Sequence, residues 1–96
     1  MKIREFQDRI EAIYLAKDQA RGLEGTFMWF AEEVGELTRA LRRNDDRANL
    51  EEEFADVLAW LSTLASMRGI DLATAVQKKY AAGCPYCKAT PCSCQH

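Results

Sequence analysis

Apolar residues recur at three- and four-residue intervals along most of the chain, the spacing of helices with one buried face. Residues 3–20 carry Ile3, Phe6, Ile10, Ile13 and Tyr14 at that spacing and predict an amphipathic helix. Gly22 and Gly25 interrupt the pattern and mark a turn. Lys17 and Arg21, just before the turn, read as solvated charges or as favourable charges at a helix C-terminus. Thr26 is the expected N-cap of a second helix over 27–43. At about 100° per residue, Phe30, Val34, Leu37 and Leu41 form a narrow stripe on it, widened by Phe27, Ala31 and Thr38. Asn44-Asp45-Asp46-Arg47 is a polar connector. Asn49 with Glu52 resembles a capping box and opens a third helix at about residue 50. Its stripe is Leu50, Phe54, Val57, Leu58, Leu61 and Ala65. Gly69 stops that helix, and Asp71 caps a last one over about 72–82. The expected fold is all-α, a small bundle of about four helices.

Two acid pairs lie on the flanks of the two central stripes. Glu33 and Glu36 share one flank with Trp29; Glu53 and Asp56 share the other with Trp60. Residues three apart meet on one helix face, so each pair presents two carboxylates side by side. Antiparallel packing of the two helices would gather all four. Like charges repel, and a bound divalent cation would compensate them. Carboxylate oxygens are hard ligands suited to Mg²⁺. Acid-rich helix flanks are more ordinarily solvated surface. Glu53, near the expected start of its helix, is also favoured there by the helix dipole; Asp56, a turn deeper, is not. Trp29 and Trp60 either stack on a base or wall the site, although core packing is the commoner fate of such residues. Arg39, Arg42 and Arg43 suit a helix C-terminus, and some of them could reach phosphate.

The run EEVGEL followed by EEEFADVLAWL resembles the signature of MazG-like nucleotide pyrophosphohydrolases, the all-α NTP-pyrophosphatase superfamily. The resemblance covers roughly residues 26–80. It includes Met67-Arg68-Gly69-Ile70-Asp71-Leu72, which is similar to the turn before the family's last helix. Many relatives carry Asn ten residues after the last metal-binding acid, where this chain has Ser66. The resemblance implies Mg²⁺-dependent hydrolysis of a nucleoside triphosphate to the monophosphate and pyrophosphate, with nucleotide-pool house-cleaning as the implied purpose. It implies Glu33, Glu36, Glu53 and Asp56 as ligands. One of them, or Glu32, would be base to the attacking water; Trp29, Trp60 and Arg39 are, from their own positions, the candidate substrate contacts. It also implies a homodimer or a homotetramer, and the large apolar residues around a polar site point the same way.

The last stretch, 84–96, differs in character from residues 1–83. Two prolines and four cysteines exclude a continuing helix. The Cys84-x-x-Cys87 turn and the Cys92-x-Cys94 pair can complete four thiolates around a structural Zn²⁺, with His96 as a substitute ligand. Redox chemistry or disulfides are the alternative. The chain thus reads as an all-α MazG-like domain, 1–83, and a zinc-binding tail.

Ninety-six residues make one small core. A net charge of −2 gives no basic field for nucleic acid. No stretch has the length of a membrane span, and the charged N-terminus is not an export signal. A reducing cytoplasm is therefore expected, where cysteines read as metal ligands before disulfides. No P-loop, Rossmann fingerprint or Ser/His/Asp arrangement is present. The competing reading is a non-catalytic helical metal-binding interaction module.

Overall fold

The computed structural model describes residues 1–95. His96, the substitute ligand considered above, lies outside the described residues. The chain forms four helices: α1 (Ile3–Arg21), α2 (Leu23–Arg43), α3 (Arg47–Met67) and α4 (Leu72–Tyr80). No strand occurs among the described residues. No helix among them is long and apolar enough to cross a membrane.

The joints explain where the helices begin and end. α1 and α2 are separated by Gly22 alone, at φ 96° and ψ 162°, a conformation glycine reaches without steric cost. The expected turn over residues 22–25 is therefore shorter, and Gly25 lies inside α2. Thr26 is not an N-cap. It is buried in the first turns of α2, and its hydroxyl donates to the carbonyl of Asp18 at 3.3 Å. Asn44 ends α2 in the left-handed region, at φ 56°. α3 opens three residues earlier than Asn49 implied, because Asp46 is the cap: its carboxylate accepts the backbone N–H of Asn49 at 2.9 Å. Gly69, at φ 68°, follows the end of α3. Asp71 caps α4 as expected, accepting the N–H of Thr74 at 3.2 Å. α4 ends at Tyr80, two residues short of the expected end.

α2 packs on α3, and α1 lies along α3. The meetings of Trp29 with Trp60 and of Glu33 with Asp56 run in opposite directions along the two helices, so α2 and α3 form an antiparallel hairpin. The buried residues of the three long helices are unusual in composition. Gln7, Asp18, Thr26, Ser62 and Thr63 are buried, while Ile10 and Ala40 are the only buried apolar residues among those described. Much of the apolar stripes points outward: Val34 and Leu41 on α2 and Phe54, Leu58 and Leu61 on α3 are exposed. The radius of gyration, 15.7 Å, exceeds the roughly 12–13 Å of a compact chain of this length.

Candidate active site

The hairpin brings the two acid flanks together. One carboxylate oxygen each from Glu33, Glu53 and Asp56 lie within 4.8 Å of one another. Glu36 stands outside that trio, but its charge acts on both Glu33 and Glu53. Burial first, then Glu36, Asp56 and Glu53, hold the Glu33 carboxyl above the ordinary glutamate value. Burial, Glu36 and Asp56 raise Glu53 in the same way, and Arg39 opposes them. Arg39 is exposed on α2 and reaches the cluster through this charge effect. The Oε2 atoms of Glu33 and Glu53 are buried with no hydrogen-bond partner. A buried carboxylate oxygen without a donor is costly, and a hard cation would satisfy both. The donor set thus fits a divalent ion.

Because α3 starts at Arg47, Glu53 lies nearly two turns inside it. The dipole of the first turn, which falls off within that turn, does not account for its charge. Glu32 is exposed, outside the trio, beside a shallow depression shared with Arg21, Gly25, Met28 and Trp29.

Trp29 and Trp60 stack, with ring centroids 6.2 Å apart and planes 10° from parallel. They are not core residues: Trp29 is exposed and Trp60 half-buried. Both line a cavity of about 290 Å³ that also reaches Asp56. Its opposite wall comes from α1, through Tyr14, Lys17, Asp18 and Arg21. The α1 wall was not expected from the sequence. Lys17 and Arg21 carried only a helix-end signal, and Asp18 carried none beyond its spacing of three from Arg21.

Residues 21–87 match the family model of the MazG nucleotide pyrophosphohydrolase domain, more than half of the chain. The chain belongs to that family. No curated protein matches it. The MazG match takes in both acid pairs, both tryptophans, Cys84 and Cys87; Asp18, Cys92 and Cys94 fall outside it. Ser66, in place of the Asn of many MazG-like relatives, does not line the cavity. Its hydroxyl donates to Glu11 Oε2 at 2.7 Å and accepts from Gln7 Nε2 at 3.0 Å, tying α1 to α3.

The cysteines that follow the MazG helices also gather. The four Sγ atoms of Cys84, Cys87, Cys92 and Cys94 lie within 4.8 Å of one another. Cys84 and Cys94 are 3.7 Å apart and Cys87 and Cys92 4.0 Å. The backbone N–H of Ser93 donates to Cys87 Sγ, and that of Cys94 to Cys92 Sγ, each at 3.3 Å. Gly83, at φ 104°, lets the chain close: a Cβ there would fall 2.7 Å from Thr90 Oγ1 and 3.0 Å from the carbonyl oxygen of Ala89. This arrangement could hold a metal ion.

Proposed function

We propose that the protein hydrolyses nucleoside triphosphates to the monophosphate and pyrophosphate in a Mg²⁺-dependent reaction. The observation that carries this reading is the trio Glu33, Glu53 and Asp56, two of whose oxygens are buried and unpaired, beside a cavity walled by stacked tryptophans. Bound by these acids together with Glu36, Mg²⁺ supplies Lewis acidity and neutralises charge on the phosphate oxygens. The carboxylates fix that charge on one rim of the cavity. Trp29 and Trp60 exclude water from the nucleoside side and offer an aromatic face to the base. Water attacks a phosphoryl phosphorus, the bond at the α–β bridge breaks, and pyrophosphate leaves. The water's proton passes to a carboxylate. That carboxylate is one of the four acids or Glu32, which lies on the neighbouring depression. Arg39 offsets acid charge at the rim. A panel of ribo- and deoxyribonucleoside triphosphates with Mg²⁺ tests this: pyrophosphate is the expected product. Orthophosphate, or no turnover on any of them, would favour the non-catalytic module.

The tail, 84–96, is proposed to hold a structural Zn²⁺ through Cys84, Cys87, Cys92 and Cys94, as a unit distinct from the MazG-like domain, 1–83. Zinc–thiolate bonds of about 2.3 Å in a tetrahedron place sulfurs about 3.8 Å apart, which agrees with the 3.7 and 4.0 Å separations. The two N–H donors to sulfur favour thiolates over thiols.

The working form is proposed to be a homodimer or homotetramer in the cytoplasm, with a nucleotide as the small-molecule partner and neither nucleic acid nor membrane. Support comes from Phe54, Leu58 and Leu61 on α3, exposed at 54%, 49% and 43%. An exposed apolar surface of that kind marks an interaction site, and a second copy presenting the same stripe is self-complementary about a two-fold axis. Light scattering should give at least twice the mass of one chain, and Leu58→Glu should reduce it to one.

A further inference from the structure

We propose that Arg21 contacts the polyphosphate of the substrate, and that Asp18 is the positioning residue that holds it ready. The inference rests on the nucleotide reading above and names a contact that reading does not supply.

Asp18 is buried, with 2% of its surface exposed. Its Oδ1 accepts from Arg21 Nη1 and its Oδ2 from the hydroxyl of Thr63 on α3, each at 2.7 Å. Its carbonyl accepts the N–H of Gly22 at 2.9 Å and the hydroxyl of Thr26 on α2 at 3.3 Å. Asp18 is therefore fixed by α2 and α3 together. The Arg21 guanidinium, fastened to it, lies 5.4 Å from the ring centroid of Trp60, within the range of a cation–π contact. Its other N–H groups have no protein acceptor among the described residues.

Gly25 gives an independent sign that the position of this arginine matters. A Cβ on Gly25 would lie 2.9 Å from Cγ and 3.3 Å from Cδ of Arg21. Glycine within a helix is unfavourable relative to alanine, yet here it leaves room for the arginine stem. Asp56 and Arg21 line the same cavity. A polyphosphate approaching four carboxylates needs cations beyond one Mg²⁺. A guanidinium held by one edge offers its other donors to phosphate oxygens in a fixed fork. Lys17 on the same wall leaves the group Lys17, Asp18 and Arg21 with a net positive charge.

Calorimetric titration with inorganic tripolyphosphate in Mg²⁺ tests this, with free nucleosides as a second probe. Arg21→Gln should weaken tripolyphosphate binding about tenfold or more. Gly25→Ala keeps every charge and favours the helix, but displaces the arginine stem; it should weaken binding in the same direction. Asp18→Asn, which removes the ion pair at constant size, should follow them. Nucleoside affinity should fall much less than tripolyphosphate affinity, since Arg21 meets the base site only through Trp60. Circular dichroism identifies any variant that has lost helix, and Gly25→Ala then decides the matter. Tripolyphosphate binding that is absent in the unaltered protein, or unchanged in folded Gly25→Ala and Arg21→Gln, would overturn the assignment. So would loss of nucleoside binding alone. If no triphosphate is hydrolysed while the variants still lose tripolyphosphate, the hydrolase reading fails and the Arg21 assignment stands.

Discussion

Gln7 on α1 and Ser66 on α3 are 59 positions apart, and the amide of Gln7 donates to the Ser66 hydroxyl at 3.0 Å. The same amide donates to the carbonyl of Ile70 at 2.8 Å, and its oxygen accepts the N–H of Leu72 at 2.9 Å. One buried glutamine thus fastens α1 to the end of α3 and the start of α4. In this chain the Ser66 position serves that fastening.

Gln7→Leu conserves bulk but leaves the Leu72 N–H and the Ile70 carbonyl without their partner. Each unpaired group of these part-buried contacts costs about 1–3 kcal/mol, so a loss of about 2–6 kcal/mol is expected in urea unfolding. Ser66→Ala should cost about 1 kcal/mol. A glutamine variant as stable as the parent would mean that α4 is not held by this contact.

Glu33→Gln and Asp56→Asn separate metal binding from folding. Each removes one charge from a repelling group, so the Mg²⁺-free melting temperature should hold or rise. Each also removes a proposed Mg²⁺ ligand, and pyrophosphate release at saturating Mg²⁺ should fall on the order of a hundredfold or more, several kcal/mol of barrier. Variants that unfold instead would identify these acids as structural partners.

Burial and the same repulsion together set a pH dependence. Glu33 and Glu53 titrate above the ordinary 4.5 in the folded protein. Between 4.5 and their raised values the folded form binds more protons than the unfolded chain, so stability falls as pH rises through that window. Asp71 acts in the opposite sense. The Thr74 hydroxyl first, then Arg4, hold it below its ordinary 3.8, so its contribution is lost only as pH falls through that lowered value. Without Mg²⁺ the melting temperature should therefore rise on acidification from neutrality toward the carboxylate range, and drop again in stronger acid. Saturating Mg²⁺ should flatten or reverse the rise. A steady fall on acidification from pH 7 would contradict the repulsion.

In the tail, the Ser93 hydroxyl and N–H stabilise the Cys87 thiolate and bring that thiol down to about 5, while the neighbouring sulfurs push Cys94 up to about 11. Metal-free reduced protein at neutral pH should react with iodoacetamide at Cys87 well before Cys94, as read by peptide mass spectrometry. Protein purified without chelator should contain about one zinc per chain and be protected at Cys87. Equal labelling of both cysteines in the metal-free form would refute the ordering.

The amino-acid sequence by itself determined that the chain is helical, because the three-and-four spacing of apolar residues and the breaks at Gly22, Asn44 and Gly69 are local signals. It also determined the acid pairs and the cysteine set, since their spacing along a helix or a tight turn fixes which side chains share a face. Helix starts were less legible. Asp46 and Asn49 are both good caps, and the choice falls to the one whose neighbours can complete the turn. Only the tertiary structure decided what the faces meet. Whether Val34, Phe54 and Leu58 turn to a core or outward depends on the rotation of α2 against α3. The same packing includes long-range contacts such as Asp18 on α1 with Thr63 on α3, 45 positions apart. It turned polar residues into the interior and much of the apolar stripes to the surface. It also brought Lys17, Asp18 and Arg21 from α1 against Trp60 and Asp56, an adjacency that periodicity cannot encode, because it belongs to packing between helices and not to spacing within one.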